Sequence, residues 1–202
     1  MATHAVRKKR KQVRLDVQQR FIRDKGRNLL AEPGPREVVI VLDGLKPTFN
    51  IGKIFRSGDA FGVRRIHLIG TSIFDPTPAK GSFRWVPAVF DNSFATCHRT
   101  LREEGYEFFV FTPHGGKPLQ DVKLPERSAF VFGHEKFGFS FAFADYPGLH
   151  PVHIPQIGKV ESLNVSVAAS IAMYDYSRQH PVPRLGMDGR CPDGTDPPPT
   201  GR

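Results

Sequence analysis

Cysteine is nearly absent: the 202 residues hold only Cys97 and Cys191. One falls in an expected helix and the other in a Pro/Gly-rich stretch, so they form neither a disulfide framework nor a Cys-x-x-Cys metal site. That usage fits a reducing cytoplasm. No apolar run approaches the roughly 18 residues of a membrane span, and the basic N-terminus lacks the apolar core of a secretory signal. A soluble cytoplasmic protein with no membrane partner is expected. No Gly-x-Gly-x-x-Gly follows an expected strand, which argues against a dinucleotide-dependent dehydrogenase. Gly52-Lys53 matches the end of a phosphate-binding P-loop, but its first glycine is missing and Ile54 stands where a hydroxyl is needed. His150 and His153 lie three apart with no further ligand nearby in sequence, so no metal site is expected. No internal repeat is present.

Charge is plentiful but uneven. The formal net charge is +9, and residues 1–27 hold ten Lys/Arg against Asp16 and Asp24, so +8 of it lies there. The run Arg7-Lys8-Lys9-Arg10-Lys11 has the character of a phosphate-seeking segment, since neutralising a polyanion releases its counterions. The chain length suits one well-buried domain of about 140 to 160 residues with appendages. We expect a basic N-terminal arm over 1–36, a domain over 37–178 and a disordered tail over 179–202, whose last 22 residues contain ten Pro or Gly.

Val13, Val17 and Phe21 recur at helical spacing, predicting an amphipathic helix over 12–23 with a basic outer face. Pro33-Gly34-Pro35 reads as a hinge. Val38 to Leu42 is a short continuous apolar run, as in a strand buried on both faces. A helix then places Ile51, Ile54, Phe55 and Phe61 on one side and Gly52 and Arg56 on another, with open space expected beside Gly52. Further strands are expected at 65–70, 107–111, 129–132 and 152–154, with helices at 90–104 and 162–178. Strands alternating with helices predict an α/β fold with a mostly parallel sheet flanked by helices. Ser162 is expected as the N-cap of the last helix. Asn164, an amide in the first turn of an apolar helix, needs polar partners and so reads as a positioning group.

Three segments carry the chemistry: Asn50-Ile51-Gly52-Lys53-Ile54-Phe55-Arg56, then Gly133-His134-Glu135-Lys136-Phe137-Gly138, then Ile154-Pro155-Gln156-Ile157-Gly158 followed by Ser162-Leu163-Asn164-Val165-Ser166. In order, spacing and position at strand ends they resemble the three motifs of the SpoU/TrmH branch of the SPOUT RNA methyltransferases, over roughly residues 37 to 178. The resemblance implies a C-terminal trefoil knot, which nothing in composition or periodicity reveals. It also implies S-adenosylmethionine-dependent methylation of a ribose 2′-hydroxyl in structured RNA. Transfer RNA is the favoured substrate, with a D-loop guanosine as the guess for the target, and ribosomal RNA is the other candidate. A catalytically silent RNA-binding protein on the same fold is the rival reading.

On the same resemblance Thr112, Gly133, Ile154, Ser162 and Leu163 match cofactor-binding positions, and Asn50, Arg56, Glu135 and Asn164 match catalytic ones. Glu135 is placed to hold Asn50 or a loop N–H. A guanidinium stays protonated, so Arg56 reads as a phosphate clamp that orients the hydroxyl rather than as a base. Relatives work as homodimers in which the motif-one arginine completes the partner's cofactor site. Two departures stand out: Lys53 where a small residue is common, placed either to add an RNA phosphate contact alongside Arg7 to Lys11 or to crowd the ribose, and Gln156 where methionine is common.

Overall fold

The computed structural model describes residues 4–182, with side chains from Lys11 onward. The tail from residue 183, Cys191 included, and the side chains of Arg7, Lys8, Lys9 and Arg10 lie outside the described residues. Seven strands form one sheet: β1 Arg36–Asp43, β2 Val63–Ile69, β3 Ala88–Asp91, β4 Glu107–Phe111, β5 Lys117–Pro118, β6 Ser128–Gly133 and β7 Leu149–His153. Their order is β3-β2-β1-β6-β4-β7-β5, and every pairing is parallel. Among the described residues four α-helices flank it: α1 His4–Asn28, α2 Phe49–Ala60, α3 Phe94–Glu103 and α4 Val165–Gln179.

The central strands are continuous apolar runs because both faces are covered. Successive strand side chains point to opposite faces, so Val38, Ile40 and Leu42 enter one core while Val39 and Val41 enter the other. The first core takes Ile51, Ile54 and Phe55 of α2 and Ala169, Met173 and Tyr176 of α4. The second takes Phe94, Cys97 and Leu101 of α3. Register aligns Asp43 with Gly133, and Phe111 with both Phe132 and Val152. The loops leaving β1, β6, β4 and β7 therefore emerge side by side at one end of the sheet.

Several boundaries differ from the expectation. The helix expected from Phe90 begins at Phe94, and Ala88 to Asp91 is instead an edge strand paired with Ile66 to Ile69. Its residues are only half buried, and their apolar side chains extend the helix-like pattern that follows. Ser93 marks the true start: its Oγ accepts from the Thr96 N–H at 3.3 Å. The first helix is longer than predicted, and its apolar side is used only near its end. Val13 is 53% exposed while Phe21 is 2% exposed. Phe21 packs on Phe74, Phe83 and Phe90 at centroid distances of 5.3, 5.7 and 6.2 Å. Asn28, about two turns beyond, donates to the carbonyls of Phe83 and Val86 at 2.6 and 2.7 Å and accepts from the Ala88 N–H at 3.0 Å. The last third of α1 is thereby tied into the sheet domain.

Gly52 also departs from the reading. A Cβ there would lie 3.0 Å from the Ala79 nitrogen and 3.2 Å from both the Asp75 carbonyl and Pro78 Cβ. The space is filled: glycine lets the 75–80 loop seat directly against α2.

Candidate active site

A pocket of about 480 Å³ opens where the loops after β4, β6 and β7 converge. Phe111, Phe132, Phe139, Ile154 and Leu163 give it apolar walls, with Thr112, Glu135, Ser162 and Asn164 among its polar groups. All five residues expected to hold a cofactor line it, although they are spread over some fifty positions of sequence. Thr112 is locked in place, its N–H donating to the Val152 carbonyl at 3.0 Å and its hydroxyl reaching the same oxygen at 3.4 Å. Gly133 is required by packing, because a Cβ would fall 2.7 Å from the Gly138 carbonyl and 2.8 Å from Phe139 Cδ1. The loop folds back onto it through His134 N–H to Gly138 carbonyl at 2.7 Å and the reverse bond at 2.9 Å. His134 Nδ1 accepts from the N–H groups of Lys136 and Phe137 at 2.9 and 3.2 Å, closing the loop tip.

A directed chain of hydrogen bonds runs along the rim. An ionised carboxylate only accepts, so Asn50 must turn its NH₂ toward Glu135; Nδ2 donates to Oε1 at 2.8 Å. The Asn50 carbonyl then faces Asn164, whose Nδ2 donates to it at 3.2 Å. That leaves Asn164 Oδ1 to accept from the Ser166 N–H at 2.9 Å and the Ser166 hydroxyl at 2.6 Å. Asn164 is thus the N-cap of α4, the role expected of Ser162; the helix starts three residues later than the apolar pattern suggested, because Ser162 precedes the turn. Burial pushes the Glu135 carboxyl up, but its own N–H, the Asn50 amide, the Lys46 N–H and nearby His134 together outweigh that and hold it below the usual carboxylate range.

The SpoU rRNA Methylase family profile matches residues 37–174. The chain belongs to this family. It is 30% identical over 151 residues to the tRNA (guanosine(18)-2′-O)-methyltransferase of Thermus thermophilus, a match covering 71% of this chain and 75% of that one. It is 33% identical over 156 residues to the 23S rRNA (guanosine-2′-O-)-methyltransferase RlmB of Nitrosomonas europaea, covering 75% and 58%. Among solved structures, the AdoMet-bound rRNA methyltransferase of Sinorhizobium meliloti superposes with TM-score 0.65 at 26% identity, covering 74% of this chain and 59% of that one. AviRb of Streptomyces viridochromogenes, solved in complex with AdoMet, gives TM-score 0.63 at 26% identity, covering 70% and 57%. The chain therefore spans under three fifths of the last three.

In this SpoU family member Arg56 does not line the pocket. It lies with Lys53 and Lys80 in a second cleft between α2 and α4, walled by Tyr174 and Ile171. Ser57 Oγ and Ser170 Oγ, 2.7 Å apart, join the two helices beneath it. Lys80 escaped notice in the sequence; it is the one described non-glycine residue with positive φ, at 52°, a conformation only the fold reveals.

Asp43 was also missed. Buried at the end of β1, it accepts from the Ser140 N–H at 2.6 Å and the Ser140 hydroxyl at 2.7 Å, tethering the loop that carries Glu135. The only signal was an acid closing an apolar strand. His67, Asp91 and Cys97 bring their ligand atoms within 4.8 Å of one another, but the contacts are those of a hydrogen-bond chain. His67 Nε2 accepts from Arg65 Nε at 2.9 Å, which leaves Nδ1 to donate to Asp91 at 2.8 Å. Burial, with Asp91 alongside, pushes the Cys97 thiol far up and keeps it protonated. His150 and His153 part company: His150 sits 3.9 Å from Glu107, and His153 Nδ1 meets the Gly115 carbonyl at 3.1 Å.

Proposed function

We propose that the protein is an S-adenosylmethionine-dependent RNA ribose 2′-O-methyltransferase, with transfer RNA as the favoured substrate and ribosomal RNA as the other. The observation that carries this is the Glu135–Asn50–Asn164 chain at the rim of a pocket built by three strand-end loops. The pocket fits the cofactor: its volume lies in the usual range for small-molecule sites of about 300 to 1,000 Å³, with apolar walls for a flat base and a few convergent polar groups for orientation. Thr112, Gly133, Ile154, Ser162 and Leu163 would hold it. Bound there, the cofactor supplies an electrophilic methyl on a sulfonium.

The chain's own residues position the attacking hydroxyl. Glu135, acting through Asn50 and Asn164, fixes the loops that border the reacting groups. A guanidinium donates hydrogen bonds and accepts none, so Arg56 clamps a phosphate, while the hydroxyl proton passes to that phosphate or to water. Holding two reactants in line supplies about 7 to 11 kcal/mol of a barrier, enough to make a clamp effective without a strong base.

Because Arg56 opens into a different cleft from the pocket, we propose a homodimer in which it reaches the partner's cofactor site. Exposed Val167 and Tyr174 on α4 support that contact. The C-terminal trefoil knot, a cytoplasmic location and a guanosine of the transfer RNA D-loop as target belong to the same proposal. The Thermus relative, whose name specifies guanosine 18 of tRNA, favours transfer RNA because it aligns over more of its own length than the ribosomal RNA relative. No helix among the described residues is long and apolar enough to cross a membrane. Mass spectrometry of RNA nucleosides and fragments from cells with and without the gene tests the reading: one 2′-O-methyl should disappear, and its fragment names the substrate. Unchanged modification, with no transfer by the pure protein, would leave the silent RNA-binding alternative.

A further inference from the structure

Phe49, Lys53 and Arg56 fall at i, i+4 and i+7 of α2, and all three are exposed. Residues at that spacing share one face of a helix. Phe49, at the start of the helix and next to Asn50, leaves 61% of its surface in solvent. It forms one wall of a cleft of about 420 Å³ between α1 and α2, beside Val17 and Ile73, with Arg14, Gln18 and Asp75 at its edges. The loop through Ile73 and Asp75 continues to Pro78 and Lys80 of the Arg56 cleft, so the two hollows are neighbours across one loop. Among the described residues none of Arg14, Lys53, Arg56 or Lys80 is in an ion pair.

An aromatic face in the open, cations one and two turns along, and no carboxylate satisfying them is the pattern that single-stranded nucleic acid requires: a surface for base stacking beside charge for phosphates. We propose that the α1/α2 cleft is a nucleobase-binding site, in which Phe49 stacks an unpaired base of the RNA strand whose phosphates meet Lys53 and Arg56. Seven residues of helix span about 10 Å, so that base belongs to a nucleotide close to the one clamped by Arg56. Gln18 offers an amide to the base edge. Asp75 has one carboxylate oxygen committed to the Thr77 N–H at 2.9 Å, and the other would accept from an exocyclic amine. Lys80, held in a left-handed backbone conformation after a turn that Gly52 admits, adds a phosphate contact at the far side. This site rests on the proposed RNA substrate and adds base-dependent recognition to a phosphate clamp that reads no sequence.

The test is fluorescence anisotropy with a short labelled oligoadenylate and a matched strand of abasic residues, using the full chain at fixed salt. Phe49→Ala should weaken the oligoadenylate by about 5- to 150-fold, the range for removing one stacking partner, and leave the abasic strand unchanged. Phe49→Trp should restore binding, and Lys53→Ala should weaken both strands alike. Equal losses on the two strands, or no loss with Phe49→Ala, would overturn the proposal. So would a fall in sedimentation mass, which would assign the ring to a contact with a second copy. Methyl transfer from labelled cofactor to total transfer RNA by the unaltered protein is measured alongside. Absence of transfer with a base-dependent loss at Phe49 would sink the proposed enzyme while leaving the stacking site standing.

Discussion

Glu135 sets the polarity of the rim because every later amide must follow the first donor it demands. Glutamine at this position offers an NH₂ where only acceptors are tolerated, so Glu135→Gln should let Asn50 turn over. Methyl transfer is expected to drop at least tenfold, on the scale of a lost hydrogen bond to a charged group, with cofactor affinity within a few fold by calorimetry. Equal losses in both would place Glu135 in the cofactor site instead. The pH dependence has a definite sign. A carboxyl held below its usual range keeps its contribution above the ordinary carboxylate pKa near 4 and loses it only as pH falls through the depressed value. Methyl transfer should therefore lose nothing from Glu135 down to about pH 4 and decline beneath it; a midpoint at or above the ordinary value contradicts the hydrogen-bond assignment. Asn164 has a second duty as helix cap. Asn164→Ala should cost about 1 kcal/mol in urea unfolding as well as cofactor affinity.

At the scale of elements, two glycines mark places where one segment lies directly on another. Gly133→Ala drives a methyl into the Gly138 carbonyl 2.7 Å away and should expel the Glu135 loop, weakening cofactor binding more than tenfold. Gly52→Val meets backbone of the 75–80 loop and should destabilise by about 1 to 3 kcal/mol, the usual penalty of overpacking, seen as a lower urea midpoint with an unchanged slope. The sequence makes β4 legible to the residue, because Phe108 to Phe111 is an unbroken apolar run buried on both faces. It hides β3, whose half-buried edge position gives no such signal, and β5, whose two residues carry no pattern at all. The motif residues were legible through the resemblance that their order and spacing carry, and in the structure the three loops meet and Asn50, Glu135 and Asn164 touch. What remained hidden is long-range contact. Nothing near Gly52 in sequence announces Ala79, and nothing near Asp43 announces Ser140, ninety-seven residues away.

For the whole molecule, the charge map and the packing of α1 together decide what the basic arm does. Residues 1–27 carry +8, but Phe21, Asp24 and Asn28 are buried, and Asp24 accepts from Arg84 Nε at 3.0 Å. Deleting the whole segment would remove core as well as charge, and a loss of RNA binding could not be assigned. Deleting residues 1–11 separates the two, since Lys11 to Leu15 are exposed and the docked end of the helix is kept. The deletion removes Arg7, Lys8, Lys9, Arg10 and Lys11. If most of these five meet phosphates, the slope of log affinity against log salt should flatten by about 2 to 4, each neutralised phosphate contributing about 0.7 to 0.9. Thermal unfolding should not move, and cofactor affinity should not change, because no pocket residue lies before Phe111. Superimposable slopes for the full chain and the truncated one, titrated against transfer RNA over several salt concentrations, would instead assign electrostatic recognition to Arg14, Lys53, Arg56 and Lys80 on the folded domain. A lowered unfolding temperature would show that the first turns of α1 support the core, which the exposure of Lys11 to Leu15 argues against.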